Sequence, residues 1–200
     1  MRKNLMRWIG EAFLILIFLL LAIQPACAER KTQRLTTVSF GNYIEHHGDD
    51  DASGTTLSIS HKQFLTEAWA YFIQIGNGTA SGEHANPDGS TVTINSSRTS
   101  LSSGLNWHYV TKNKLVTPYI GIGLSIHRYH YDFEYTDSEI GQVSGTGYGP
   151  LLNAGARISI TSHLMVIPGY RFEQIYIVAE NGEQEAVTSS GLMLALLIHF

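Results

Sequence analysis

Two Ser–His pairs in the sequence have the residue types of hydrolytic chemistry. Ser60 directly precedes His61, and Ser125 lies two residues before His127. A histidine acting as general base must lie about 2.6–3.2 Å from the hydroxyl group that it deprotonates. Adjacent residues of a strand point to opposite faces, so Ser60 and His61 are poorly placed for this proton transfer. We therefore expect no catalytic residue, with a lipid-modifying enzyme as an alternative.

A second group of side chains has the composition of a metal site. His46 and His47 lie just before residues 49–51, all of which are aspartate. Two neighbouring imidazoles with carboxylates can bind a divalent cation. The same segment is also what an ordinary solvated, glycine-flanked loop looks like. We expect neither a bound metal ion nor a cofactor.

Residues 1–28 differ from the rest of the chain. Basic residues come first, an apolar run follows at 13–23, and small residues lead up to Ala28. This order is typical of a secretory signal peptide with an Ala-x-Ala-like cleavage site. The apolar run is too short for a spanning helix, which needs about 20 residues. Cys27 leaves one alternative open, the acylated cysteine of a lipoprotein.

The composition beyond residue 28 excludes several classes of protein. That part has 10 Lys and Arg against 16 Asp and Glu, and it has no cysteine. Nucleic-acid binding requires a basic face, so we expect no nucleic-acid partner. Disulfides and thiolate metal sites are excluded as well. No later stretch is apolar for 18 residues, which excludes a transmembrane helix.

The dominant pattern beyond residue 28 is the alternation of apolar with small or polar side chains. At the C-terminus, Leu192, Leu194 and Leu196 share one face with Ile198 and Phe200. Period two indicates strands, and a barrel wall in lipid needs its apolar side chains outside. Eight segments of mostly 8–12 residues show it, near 36–41, 57–62, 69–75, 101–109, 119–127, 152–160, 164–173 and 192–200.

The connections between these segments alternate in length. Short connections lie near 64–67, 111–114 and 161–163, and long ones near 44–54, 77–94, 132–149 and 179–187. Short turns on one side and long loops on the other are typical of outer-membrane barrels. We predict an all-β, eight-stranded, antiparallel up-and-down transmembrane barrel at 29–200, with strands from about residue 34.

Aromatic residues lie near both ends of the predicted strands, where girdles of amphipathic rings prefer the headgroup level. The predicted members are Trp69, Trp107, Tyr109 and Phe200 at the short-turn ends, and Tyr129, Tyr131 and Tyr176 at the long-loop ends.

Three strand motifs resemble those of OmpA- and OmpW-like small outer-membrane barrels of Gram-negative bacteria. They are Thr117-Pro118-Tyr119-Ile120-Gly121-Ile122-Gly123-Leu124, Asn153-Ala154-Gly155-Ala156-Arg157 and Pro168-Gly169-Tyr170-Arg171-Phe172. Phe200, with Ile198 and Leu196 before it, resembles the signal read by the outer-membrane assembly machinery. Gly169 departs from the pattern, because many relatives carry an inward polar residue there.

The inward faces of the predicted strands carry charged and imidazole side chains. They are Lys62, His108, His127, Arg157, Arg171 and Glu173. The interior of an eight-stranded barrel is just wide enough for side chains to fill. Buried ions must be paired, so we predict a structural polar network in the lumen rather than an open pathway.

The resemblance implies a non-enzymatic outer-membrane protein with an envelope role, surface loops and, at most, narrow passage of small or hydrophobic solutes. Its implied partners are outer-membrane lipid and lipopolysaccharide, periplasmic chaperones and the assembly machinery. Two alternatives belong to other classes. One is a lipid-modifying enzyme of the deacylase or acyltransferase type, and the other is a soluble periplasmic barrel that binds a ligand.

Overall fold

A computed structural model describes residues 34–198, apart from 48–49, 86–90, 111–114, 136–139, 162–163, 180–181 and 183. The predicted signal peptide at 1–28 and Phe200 lie outside the described residues. The strands are β1 (Arg34–His47), β2 (Asp50–Phe64), β3 (Trp69–Ala85), β4 (Thr91–His108), β5 (Val116–Tyr135), β6 (Ile140–Ser159), β7 (Leu164–Ala179) and β8 (Gln184–Ile198). Within the described ranges no helix is long and apolar enough to cross a bilayer.

The eight strands form one closed antiparallel barrel in sequence order. The last strand pairs back with the first, from Val38 opposite Leu196 to His46 opposite Thr188. Closure leaves no strand edge unpaired, which is the condition for placing a sheet in lipid. The predicted eight-stranded up-and-down barrel is therefore confirmed, including the two weakly patterned strands β1 and β2.

The outer surface carries a continuous belt of exposed apolar side chains. Ile122 and Leu192 are 63% and 64% exposed, and Phe40 and Ile59 are similarly uncovered. A soluble protein rarely leaves so much contiguous apolar surface in water. The belt therefore favours a lipid-facing wall and disfavours the soluble periplasmic alternative.

The strands are longer than predicted. They have 14 to 20 residues, and β5 and β6 reach 20 each. Much of the segments predicted as long loops, such as 77–94 and 132–149, is strand. Crossing a bilayer takes about 9–11 tilted residues, so the longest strands extend well beyond the apolar belt. Their outer halves lack the lipid-facing apolar residues by which strands are recognised in a sequence.

Two of the predicted girdle aromatics lie inside the barrel instead. Tyr129 and Tyr131 are 1% and 7% exposed, and their rings stack with centroids 5.5 Å apart. Both have the inward parity of β5, shared with His127. Tyr176 lies on the outward face of β7 and is 44% exposed, as expected of a girdle residue.

Packing explains why position 169 is a glycine. It lies directly opposite Gly155 in the β6–β7 ladder, and the Tyr119 side chain extends from β5 over both glycines. A Cβ atom would lie 2.9 Å from the Tyr119 hydroxyl at Gly169 and 2.7 Å from it at Gly155. The absence of a side chain at Gly169 therefore makes room for the hydroxyl end of the partly buried Tyr119 side chain.

Candidate functional site: the barrel lumen and its outer mouth

In the middle of the lumen, two of the predicted network residues, Arg171 and His127, contact a third, Glu173. Arg171 Nη2 donates to Glu173 Oε1 at 2.7 Å, and His127 Nε2 lies 3.2 Å from the same oxygen. Arg171 also donates to Gln74 and Ser102. Glu173 and His127 are each 1% exposed. This buried carboxylate is thus paired with a guanidinium group and lies close to an imidazole.

A second ion pair lies nearer the outer end. Arg98 Nη1 donates to Glu45 Oε1 at 2.9 Å and to Ser189 at 3.0 Å. The guanidinium group lies over the Tyr43 ring, 3.8 Å from its centroid, which adds a cation–π contact. Glu45 is fully buried. The pair links β1 with β4 across the lumen.

Sequence reasoning missed Arg98 and Glu45. Both face the lumen. Arg98 lies an even number of residues from the inward-facing His108 on β4, and Glu45 lies an even number of residues from the inward-facing Leu35 on β1. The predicted strand segments ended before reaching either residue. Continuing the alternation beyond the apolar positions would have placed both side chains in the lumen.

The other three predicted network residues lie near the short-turn end, away from both carboxylates. Lys62 Nζ lies 4.5 Å from the Tyr119 ring centroid, and the Arg157 guanidinium lies 5.1 Å from that of Phe64. The His108 ring packs between Phe64 and Tyr119, and neither of its nitrogens has a hydrogen-bond partner within the described part of the chain. This layer holds two cations over aromatic rings.

Apolar clusters occupy the lumen at both ends. The cluster at the short-turn end consists of Leu35, Phe64, Ala70 and Leu197, with Met165 packed against it. The outer cluster consists of Tyr129, Tyr131, Ile175, Ile177 and Val187, with Ile94 packed against it. The charged layers therefore lie between two apolar layers.

Above the outer cluster, the barrel opens into a cup with a volume of about 560 Å³. Its wall is largely apolar, and its polar lining includes His47 and Glu185. His47 Nδ1 lies 3.0 Å from Glu185 Oε1, and its Nε2 lies 3.6 Å from Glu45 Oε2. Burial opposes the charged ring, but the hydrogen bond to Glu185 and the nearby Glu45 carboxylate outweigh it and raise the pKa of His47 to about 9. At the cup, His47 thus lies between the carboxylates of Glu185 and Glu45.

A Ser–His–Asp chain of contacts lies on the described outer surface, and sequence reasoning did not bring its serine together with its histidine. His130 Nδ1 and Ser144 Oγ lie 3.0 Å apart across the β5–β6 ladder, and His130 Nε2 lies 3.4 Å from Asp132 Oδ1. All three point outward, and Arg128 lies on the same face one step nearer the apolar belt. Only the strand register, which the sequence does not display, brings Ser144 beside His130.

The Ser–His pairs named from the sequence do not form such a contact. His61 bonds to Thr36 rather than to Ser60, and the Ser125 hydroxyl donates to the carbonyl oxygen of Gly149. His46 Nδ1 contacts Asp51 Oδ1. Among the residues that the structure describes, no three His, Cys, Asp or Glu side chains come together as a metal site would require.

The residues of the predicted assembly signal are only partly described. Leu196 faces outward and is 52% exposed, and Ile198 lies at the end of β8 opposite Leu164. Phe200 lies outside the described residues.

Comparisons with known proteins agree with this architecture. The family model described as "Outer membrane protein beta-barrel domain" matches residues 13–199. No curated protein sequence matches the chain significantly. Among solved structures, OprG of Pseudomonas aeruginosa is similar with a TM-score of 0.60 at 9% identity, over 86% of this chain and 98% of that one. Neisserial surface protein A is similar with a TM-score of 0.55 at 17% identity, over 86% of this chain and 100% of that one.

A third similar structure is Ail, the attachment invasion locus protein of Yersinia pestis, in complex with the heparin analogue sucrose octasulfate. Its TM-score is 0.50 at 13% identity, over 84% of this chain and 99% of that one. At these identities, the likeness shows a shared fold.

Proposed function

The chain belongs to the outer membrane protein beta-barrel domain family, and we propose that it is a sealed, non-enzymatic barrel with a structural role in the outer membrane. The observation that carries this proposal is the filling of its lumen. Two apolar clusters enclose the Arg98–Glu45 and Arg171–Glu173 pairs. Charged groups held in this way have little freedom to pass ions, because a moving ion must break contacts in a medium of low dielectric constant.

The test is conductance of the purified, refolded protein in planar lipid bilayers. We expect no steady current steps for the native chain. Replacing Arg171 and Glu173 together by alanine removes two side chains from the middle of the lumen and should introduce small steps. Native-chain steps that match those of this double variant would contradict the proposal.

Export and membrane insertion follow the same proposal. The signal at 1–28 would be cleaved, and the chain would reach the assembly machinery with periplasmic chaperones. Mass spectrometry of the protein from outer membranes should find a mature chain that begins at Glu29. A chain that retains residues 1–28, or one lipidated at Cys27, would contradict this route.

A second candidate function is hydrolysis of a lipid ester, and the Ser144–His130–Asp132 chain favours it. Arg128, His130 and Ser144 line one end of an external groove of about 600 Å³, and Phe40 and Leu57 line the other end. An acyl chain suits the apolar end, and an anionic headgroup suits Arg128. His130 would accept the Ser144 proton as Ser144 attacks the ester carbonyl, and would pass it to the alcohol oxygen as the ester C–O bond breaks and the alcohol leaves. Water, deprotonated by His130, would then attack the acyl-serine, release the fatty acid and restore the Ser144 hydroxyl.

This candidate is tested by fatty-acid release from lipopolysaccharide and phospholipid vesicles. If it holds, Ser144→Ala abolishes release, and Ser97→Ala in the same groove leaves it unchanged. No release by the native chain, with unchanged lipid composition in cells that lack it, would eliminate the candidate.

A further inference from the structure

A small cavity lies inside the barrel between the Arg171–Glu173 layer and the short-turn end. Its volume is about 60 Å³. Its polar lining includes Lys62, Ser60, Asn106, Asn153 and Arg171, and no described carboxylate lines it. A single buried water needs roughly 10–15 Å³ by a comparable measure, so the cavity has room for a small ion or a few waters.

Several buried polar atoms around this cavity have no hydrogen-bond partner among the residues that the structure describes. They are Ser60 Oγ, Asn106 Oδ1 and Asn153 Oδ1. Asn106 is 1% exposed and Ser60 is 5% exposed. An unpaired buried polar group costs about 1–3 kcal/mol, so three of them together indicate an occupant that the protein chain does not supply.

The charges of the lumen indicate the sign of that occupant. Glu45 is engaged by Arg98, and Glu173 by Arg171 and His127. Lys62 and Arg157 are left without a carboxylate partner among the described residues, and Lys62 lies on the cavity wall. Buried cations require compensation, and the described lumen has more cations than carboxylates.

The backbone is shaped to make room for both amide groups. Gly121 pairs with Asn106 on one side and with Asn153 on the other. A Cβ atom at Gly121 would collide with Asn106 Oδ1 and lie 2.6 Å from Asn153 Oδ1. Rotation of either amide about χ2 exchanges its oxygen for its NH₂ group, so both can present donors to one point.

We propose that this cavity is an anion site that holds one halide ion, taken up as the barrel closes. The ammonium group of Lys62 supplies the charge, and the Ser60 hydroxyl and the amides of Asn106 and Asn153 donate the remaining hydrogen bonds. The Arg171 guanidinium adds positive potential from the opposite side. Bound at this point, the anion ties β2, β4 and β6 together through the lumen.

The direct test is crystallography of protein refolded from urea in sodium bromide, with bromide located by its anomalous scattering. We expect one peak within hydrogen-bond distance of Lys62 Nζ. Lys62→Met should lose the peak. Arg128→Met removes the same charge from the outer surface and should keep it. Absence of an anomalous peak beside Lys62 Nζ would overturn the proposal, because the cavity would then hold only water or Lys62 would be neutral.

A solution measurement covers the case in which crystals fail. A ligand that binds only the folded state stabilises it in proportion to the logarithm of its concentration above its Kd. The urea midpoint of the native chain should therefore rise with bromide in place of gluconate at constant ionic strength. The slope should persist in Arg128→Met and vanish in Lys62→Met. Equal slopes in all three proteins would show general salt screening and refute the site.

Discussion

At the scale of single residues, the Glu45–Arg98 pair makes the sharpest prediction. Arg98→Met removes the guanidinium partner of a fully buried carboxylate and leaves it the more distant His47 ring, 3.6 Å away. Breaking one half of a buried ion pair costs about 3–5 kcal/mol of unfolding free energy. Adding Glu45→Gln should restore part of that loss, because the unpaired charge is then gone. Urea unfolding in lipid vesicles, followed by tryptophan fluorescence, measures both variants.

The matched control for this pair is Arg128→Met, because Arg128 faces outward and is exposed. Exposed substitutions of this kind change stability by within about 0.5 kcal/mol. A loss for Arg98→Met no larger than that of the control would show that the pair contributes nothing to the barrel.

His47 predicts a dependence on pH at the outer mouth. Burial disfavours its charged form, but the hydrogen bond to Glu185 and the nearby Glu45 carboxylate raise its pKa to about 9 from an ordinary value of 6.5. A raised folded-state pKa means that the contact is fully formed below pH 6.5 and is lost as the pH rises through about 9. Amide exchange at the outer ends of β1 and β8 should accelerate over that window. In the His47→Gln variant, exchange of the same amides should not change with pH over that window, after correction for the intrinsic exchange rate.

Partners across the lumen are the part of the site that the sequence conceals. Alternation alone assigns Arg171 and Glu173 to one inward face, because they lie two residues apart on β7. The contact of Arg98 with Glu45 joins strands that are not neighbours in the wall. No local pattern encodes a distance across a barrel, because that distance depends on strand number, tilt and register together.

At the scale of strands, the apolar belt predicts where a charge is tolerated. Ile122 lies on the lipid-facing side of β5, within the belt, and is 63% exposed. An arginine near the bilayer midplane costs about 2–4 kcal/mol, against about 0–1 kcal/mol near the interface. We expect Ile122→Arg to lower the unfolding free energy by the larger amount. Thr79 faces outward on the part of β3 beyond the belt, so Thr79→Arg should lower the unfolding free energy only slightly. Equal losses for the two variants would contradict the position assigned to the belt.

The sequence predicted the half of each strand that lies nearer the short turns, but not the half that extends beyond the apolar belt. Apolar residues alternate through 119–127, where lipid requires them on one face. Beyond the belt, β3 continues as Gly76, Asn77, Gly78 and Thr79, a composition shared with loops. The hydrogen-bonded partners on β2 and β4 keep that segment extended, and such pairing is not visible in a single strand.

At the scale of the whole molecule, the closed barrel predicts how the protein behaves in a gel. A folded barrel of this type should fractionate with the outer membrane and migrate faster before boiling than after it. Ladder bonds between every pair of neighbouring strands hold the barrel closed in mild detergent. Release by osmotic shock, or a mobility that heating does not change, would contradict the membrane barrel.

The seam between β1 and β8 has a consequence for folding kinetics. It pairs residues from opposite ends of the described chain, so the last ladder cannot form until every other strand is in place. An open seven-strand sheet in lipid would leave two rows of unpaired N–H and C=O groups, each costing several kcal/mol. Insertion and closure should therefore be one cooperative event. A truncated chain without β8 should therefore fail to insert and be degraded in the periplasm, rather than form a leaky barrel in the membrane.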